Sequence, residues 1–341
     1  MGTAGSMWDT LFEGDLSFGP EADDLRWPIV EATDRKAVTQ DLLAGIEKLF
    51  SDRLGFDLRL SLIPYCRTEQ EQIELLRIMA EHVAPRDQVH IDISHGFRHL
   101  PMIALLAALH LRAVREAAID GIWYGAFDPD TNEAPVHNLA GLLRTADWIQ
   151  ALHTYDKDGD YGVFASLLGS AGGLLAQAAF FERATNPVKA REKLSAWSQR
   201  KDRFPANDPA AELFRDELER RVSWHRKPDR ASWEAELALR YLEQGDYVRA
   251  AVYGLEAVIS SHIANSKGNV GDYNQRQNAQ EALKDGRDGF DTLSRLRNAL
   301  AHGFRPWDGK IERAIADETD LRNTLQTLLT QLLNIPSRRG G

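Results

Sequence analysis

The run Ile91-Asp92-Ile93-Ser94-His95-Gly96-Phe97-Arg98-His99-Leu100-Pro101 holds residue types suited to gripping a phosphate. Val89, Ile91 and Ile93 alternate with polar residues, as at the end of a buried strand. A hydroxyl, an imidazole and a glycine follow at once, and an apolar helix starts near Phe97. Open α/β sheets bind ligands at such strand-to-helix breaks, outside the carboxyl ends of the strands. Backbone N–H groups at the helix start, with Arg98 beside them, suit a phosphate-bearing ligand. The plain alternative is a strand-to-helix turn with a hydrogen-bonded histidine. A second run, Arg295-Leu296-Arg297-Asn298-Ala299-Leu300-Ala301-His302-Gly303, closes a helix. On spacing alone Gly303 fits the C′ position and His302 the negative end of the dipole.

The elements that must position these residues differ between the two halves. In the first, Leu58, Leu60 and Leu62 alternate before Ile63-Pro64, and 69–82 has helical periodicity. A strand over 88–93, a helix over 97–115 and a strand over 118–127 follow. Strands alternating with helices of this length predict βαβ units and a parallel sheet. Asp128-Pro129-Asp130 is a turn, and a helix is expected over 137–152. The second half is helical throughout. The span 161–183 is small and apolar but interrupted by Gly169, Gly172 and Gly173. Pro205 and Pro209 punctuate a polar stretch that reads as a linker. Helices are predicted over 212–224, 232–244, 247–265, 290–302 and 319–333, with Ser232 as an N-cap and 336–341 as a frayed tail. The fold class is thus an α/β N-terminal domain with a Rossmann-like parallel sheet, followed by an all-α domain. The expected boundaries are 1–152, a helical connector over 153–210, and 211–337.

Composition bounds the function. With 341 residues the chain can hold two substantial cores. Its 43% hydrophobic and 27% charged residues are those of an ordinary globular protein. No segment reads as a signal peptide, and the apolar run Met102 to Leu109 is far short of a membrane span, so a cytoplasmic protein without membrane contact is expected. One cysteine, Cys66, excludes an internal disulfide and a cysteine-based zinc site. The 41 basic and 51 acidic side chains give a net charge of −10, which argues against broad, stable DNA coating and confines any nucleic-acid site to a local basic groove.

Asp92-Ile93-Ser94-His95-Gly96 resembles the Asp-x-Thr-His-Gly signature of CRISPR-associated CARF-domain proteins, with Ser in place of Thr. The likeness continues through Phe97-Arg98-x-Leu100-Pro101. Ile63-Pro64 with Thr68-Glu69 is similar to the family's strand-to-helix junction, and Trp123-Tyr124-Gly125-Ala126 to its next strand. Gly2-Thr3-Ala4-Gly5-Ser6-Met7-Trp8-Asp9 resembles its Gly-Thr-x-x-Ser-x-Trp-Asp loop. In the family that loop follows the first strands of the sheet; here it opens the chain, so those strands and part of the pocket are expected to be missing, through truncation, a different start site or divergence. Farther on, Arg297-Asn298-x-x-x-His302 resembles the Arg-x-x-x-x-His motif of HEPN ribonucleases. It follows a helical hairpin that turns at Gly245-Asp246-Tyr247, with Glu256 on the hairpin's second helix. The order of the two motifs is that of CRISPR-associated CARF–HEPN ribonucleases.

The resemblance implies a homodimeric, metal-independent endoribonuclease for single-stranded RNA, activated by a cyclic oligoadenylate from a type III CRISPR complex. Gly2, Thr3, Ser6, Ser94, His95, Gly96 and Arg98 are the expected ligand residues; cyclic tetra-adenylate is the first expectation and hexa-adenylate the second. Arg297, His302 and Asn298 are the expected catalytic residues, with no catalytic cofactor. The residue types fit. Histidine is the residue type suited to general acid or base work near neutral pH, which points to His302, while Arg297 would offer a planar cation to the scissile phosphate. Asn298 would orient the phosphate or the imidazole. Attack of the 2′-hydroxyl on its own phosphorus would leave a 2′,3′-cyclic phosphate and a 5′-hydroxyl. Five residues of spacing put Arg297 and His302 about 140° apart on an ideal helix, so they share one stripe only if the helix ends or distorts at His302. The resemblance implies two such motifs facing each other across a dimer. Arg295, Arg305 and Lys310 could supply a local positive rim.

Two rival readings stay open: a non-catalytic nucleotide-binding regulator, and a ring nuclease in which Ser94 or His95 helps open the cyclic ligand. Other candidates fall away. His95 and His99 stand four apart but lack a third metal ligand. Asp156-Lys157-Asp158-Gly159-Asp160 imitates a calcium loop, yet Tyr161 and Leu167 occupy the places of its Gly and Glu. Cys66 has no partner motif for nucleophilic work. The hairpin could be a TPR-like pair, but no further repeats follow.

Overall fold

A computed structural model describes residues 1–13, 22–94, 100–303 and 309–334. The chain divides into two compact units, Met1–Leu143 and Arg144–Gly341. The first contains α1 (Asp23–Asp34), α2 (Gln40–Leu54), α3 (Glu69–Glu81), β1 (Gln88–Asp92), α4 (Leu100–Arg115), β2 (Ala118–Gly125) and β3 (Val136–Asn138). Helix α5 (Gly141–Asp158) carries the chain across the division. The second contains α6 (Gly172–Arg183), α7 (Pro187–Gln199), α8 (Pro209–Arg221), α9 (Arg230–Glu243), α10 (Tyr247–Asn265), α11 (Tyr273–Gly286), α12 (Phe290–His302), α13 (Gly309–Ala314) and α14 (Glu318–Leu333). No helix among the described residues is long and apolar enough to cross a membrane.

In the first unit β1 and β2 pair in parallel, with Ile91 opposite Ile122 and Asp92 opposite Trp123. Helix α4 is the crossover, and its Ala104 and Ala108 pack on Ile91 and Ile122. The βαβ unit expected from the alternation is therefore present. The sheet as a whole is mixed rather than parallel, because β3 pairs antiparallel with β2. The tight return is sealed by the Asp128 amide on Glu133 O (2.8 Å) and the Ala126 amide on Pro135 O (3.0 Å). So short a loop can only reverse direction, since a parallel partner needs a crossover of a dozen or more residues. His137 and Asn138, expected to open a helix, thus belong to the edge strand 136–138, and α5 begins at Gly141.

The alternating segment 58–62 is extended but does not join a strand ladder. Its single bridge is Gly2 with Leu62. Side chains of α2 take the place of a second neighbour. Gln40 donates to Leu60 O (2.7 Å) and accepts from the Leu62 amide (2.9 Å), while Glu47 accepts from the Leu60 amide (2.8 Å). Odd-numbered backbone groups turn the other way, toward Gly2. Leu60 is left among Trp8, Ile29, Leu43 and Phe50, the core of this region.

The second unit has one large core. Residues 153–210, expected as a connector, contribute Tyr161, Phe164, Leu175, Leu194 and Trp197 to the cluster that also holds Leu237, Val258, Leu293 and Leu329. The span 161–183 is broken into 3₁₀ turns at Tyr161–Leu167 and Gly169–Ala171 before α6. Gly169 turns the chain with φ +55°, and Gly172 sits so close to the preceding turn that a Cβ would lie 1.9 Å from Ala165 O. The α9–α10 hairpin turns through Gly245 (φ +78°), and Asp246 caps α10 by accepting from the Arg249 amide. The cap of α9 is Asp229, which accepts from the Ser232 amide (2.8 Å); Ser232 is a donor there, not the cap expected from the sequence. An aspartate three residues upstream outcompetes a serine because it brings the same acceptor geometry with a charge that suits the positive helix end.

The adjacent glycines of α6 should separate in their effects. Gly172→Ala should destabilise the protein by about 2 kcal/mol or more through backbone overlap. Gly173, whose Cβ position is open, should tolerate Ala and gain about 0.5 kcal/mol of helix propensity. Urea unfolding followed by tryptophan fluorescence reads both.

Candidate functional site

The opening loop folds upon itself. Thr3 is buried; its amide donates to Ser6 Oγ (2.9 Å) and its hydroxyl lies 3.2 Å from the same atom. The Trp8 indole N–H donates to Thr3 O at 2.7 Å. Gly2 pairs its backbone with Ser61 and Ile63, and a Cβ there would meet the Trp8 ring at 2.7 Å. The hydroxyls of Thr3 and Ser6 are thus engaged within the loop rather than presented outward. Gly5 passes over Tyr65, whose hydroxyl would lie 2.6 Å from an added Cβ, with Lys36 on the other side. Arg67 stacks over the Tyr65 ring at 4.7 Å. Sequence reading missed Lys36, Tyr65 and Arg67 as neighbours of this loop, because only the fold brings three separated segments together.

At the end of β1, the Ser94 amide donates to Asp92 Oδ1 (2.8 Å) and Ser94 Oγ accepts from the Gly125 amide (2.7 Å). Ser94 therefore ties the turn after β1 to the carboxyl end of β2, where parallel strands present ligand sites. His95, Gly96 and Arg98, with Phe97 and His99, lie outside the described residues. No hydrogen bond or ring contact among the described residues joins Ser94 directly to the Gly2–Ser6 loop. Nearby on the strands, the Trp123 indole donates to His90 Nδ1 (3.2 Å), and the two rings stack. Gly121 permits this, because a Cβ would lie 2.3 Å from the Trp123 indole nitrogen.

In the second unit, α12 buries Phe290, Leu293, Leu296 and Ala299. Arg297 and Asn298 lie half-buried beside that stripe, and His302 is exposed on the last turn. The helix stays regular through His302 and ends at Gly303 (φ +67°), whose amide donates to Ala299 O (3.1 Å). The wide angular separation of Arg297 and His302 therefore persists. Arg297 Nε is buried with no hydrogen-bond partner among the described residues, a costly condition for a guanidinium N–H. Of the rim cations, Arg295 lies 3.9 Å from Asp291, Lys310 reaches Thr292 Oγ1 (3.4 Å), and Arg305 is outside the described residues. Glu256 is held in an ion pair with Arg276. Among the described residues no three His, Cys, Asp or Glu side chains come together as a metal would require. Burial, then Glu71, pushes the Cys66 thiol up, away from the reactive thiolate.

Removing the Ser94 hydroxyl tests its role as a strand tie. Ser94→Ala should cost about 1 to 2 kcal/mol and speed hydrogen exchange at the Gly125 amide, both measurable on the free protein.

No family model matches the chain. It is 24% identical over 186 residues to a CRISPR-associated protein of Methanocaldococcus jannaschii; the aligned part is 49% of this chain and 29% of that protein. The chain thus spans under a third of its relative's length, and the likeness supports a CRISPR association.

Proposed function

We propose that the chain is a cyclic-oligoadenylate-activated, metal-independent endoribonuclease of CRISPR antiviral defence, cutting single-stranded RNA. The observation that carries this reading is Arg297, whose buried Nε–H lacks a partner among the described residues, five positions before the exposed His302. A scissile phosphate satisfies that donor, and His302 then moves the proton of the 2′-hydroxyl or of the leaving 5′-oxygen. Asn298, beside Arg297, orients the phosphate. The angle between the two side chains calls for a second copy of α12, so that each groove takes Arg297 from one protomer and His302 from its partner.

Self-association has support of its own in the first unit. On α4, Met102 (73% exposed) and Leu106 (58% exposed) head an outward stripe at i, i+4 spacing that continues to Ala113. A twofold axis through such a stripe gives an isologous contact, and a ring of twofold symmetry fits a site at that axis. The Ser94 turn and the Gly2–Ser6 loop would then hold the ring, which activates only by binding the active arrangement more tightly. The CRISPR-associated relative supports the biological setting.

The test is cleavage of a fluorescent single-stranded RNA in EDTA, with and without each cyclic oligoadenylate. Cleavage stimulated by one ring size, ending in a 2′,3′-cyclic phosphate, is expected. His302→Ala should lower it by about 10²-fold or more while sparing ring binding. Absence of cleavage from folded dimer with every ring would instead favour a nucleotide-binding regulator, in which Gly303 simply ends a helix. Ring opening that survives His302→Ala would move catalysis to the Ser94 turn. Leu106→Glu should convert dimer to monomer in sedimentation and abolish ring-stimulated cleavage.

A further inference from the structure

The second unit encloses a carboxyl for which the reading above has no use. Glu182, in the last turn of α6, is 4% exposed. Its Oε1 accepts from the Tyr241 hydroxyl at 2.8 Å, and its backbone oxygen accepts from the Tyr253 hydroxyl at 2.5 Å. The two tyrosine rings stack 5.7 Å apart, joining α9 to α10. The Tyr161 hydroxyl and the Trp224 indole N–H also face the carboxyl, from the 3₁₀ turns Tyr161–Leu167 and Ser223–Arg226 respectively. Yet the Tyr161 oxygen, the Trp224 nitrogen and Glu182 Oε2 are all buried without a hydrogen-bond partner among the described residues. Three orphaned polar groups at one point are unusual in a packed interior, where nearly every such group is satisfied. The remaining ionisable groups around the site are Tyr155 of α5, Arg240 of α9, and Tyr253 and Arg249 of α10, with Arg249 lying 4.6 Å over the Tyr241 ring.

A carboxyl can satisfy this cluster in two ways. Protonated, Oε2–H donates to the Tyr161 oxygen. Ionised, both oxygens are acceptors, and the Tyr161 O–H and Trp224 N–H must turn inward to solvate the charge. The direction of one hydrogen bond reverses and the proton leaves to solvent. We propose that Glu182 is a proton switch of the helical unit, whose ionisation re-draws the contact of α6, α9 and the two 3₁₀ turns. Burial is the largest influence on Glu182 and pushes it from 4.5 up to about 7, against the opposing pull of Tyr241, Tyr161, Arg240 and Trp224. The folded protein therefore holds this proton more tightly than the unfolded chain does. The resulting stability is complete below pH 4.5 and is lost as pH rises through about 7. The switch lies against the α9–α10 hairpin, on which α12 packs, so it is placed to bias the motif helix as well.

The test uses the full chain without RNA, so it stands whether or not cleavage is found. Unfolding of wild type and Glu182→Gln is compared between about pH 5 and 9. The wild-type unfolding constant is expected to rise ~10²-fold more than that of the variant across this range. Infrared spectra should show a protonated-carboxyl C=O band in wild type at acid pH that fades near neutrality and is absent from Glu182→Gln. Tyr161→Phe removes one donor to the ionised form, so it should move the fading to higher pH; this variant serves if the Gln variant fails to fold. Parallel stability profiles, or a C=O band unchanged by these substitutions, would overturn the proposal.

Discussion

Gly254 is the point on which the second unit turns. A Cβ there would lie 2.3 Å from Leu329 Cδ2 and 3.6 Å from Leu293 Cδ2, so α14 and α12 both close on α10 at a position without a side chain. Around it Ala250, Ala251 and Ala257 are buried, with Tyr253, Val258 and Ile263 filling the wider gaps. A helix that is apolar on nearly every side is stable only when other helices cover it. Helices α9, α11, α12 and α14 do so. Each large side chain buried in that contact is worth about 1.5 to 3 kcal/mol, so the position of α12 is set by packing rather than by Arg297 or His302. The motif is carried on a helix whose orientation other residues decide.

Polar groups inside this unit follow the same logic of position before charge. Glu234 is fully buried, yet it accepts from Ser260 (2.6 Å) and Arg230 (2.7 Å). Arg276 reaches the same Ser260 (3.1 Å), the Val270 carbonyl (3.0 Å) and Glu256. Burial raises the Glu234 carboxyl despite these partners. Such a network adds little net stability over apolar packing, but breaking it strands a charge, and so it fixes one geometry. Here the geometry fixed is that of the loop between α10 and α11. Glu256, conspicuous in the sequence as an acid on the hairpin, belongs to this network.

What the sequence makes legible depends on how local the cause is. Helices α10 and α12 occupy 247–265 and 290–302, the limits their periodicity and turn residues imply, because Gly245, Asp246 and Gly303 act through their own backbone. The β1–α4–β2 crossover is legible for the same reason. Non-local causes leave no such trace. Nothing near Leu60 announces that Gln40 and Glu47 will occupy its strand edge, and nothing at Gly172 reveals the Ala165 carbonyl beneath it. Three residues of edge strand at 136–138 are too few to show alternation. The candidate site divides likewise. Residue types at Ser94, Arg297 and His302 can be read in one dimension. That Thr3 and Ser6 spend their hydroxyls on each other, or that Lys36 and Tyr65 flank Gly5, is a product of folding.

Charge explains why Arg297 stands out in an acidic chain. Most guanidinium groups here are bound to a nearby carboxylate: Arg77 with Glu74 and Glu81, Arg215 with Glu212, Arg220 with Glu217, Arg203 with Glu219. Such pairs cancel at a distance and leave no field to draw a polyanion. Among the described residues Arg297 has no ion pair and its Nε has no acceptor. An exposed arginine left so would be unremarkable, since water would serve it. At Arg297, half-buried, the Nε–H is enclosed and finds no acceptor among the described residues. The helix that packing fixes thus also carries this guanidinium, with the exposed His302 five residues farther on. The two groups diverge around the helix by about 140°, so on the proposed ribonuclease reading one phosphate would meet both only with a second copy of α12.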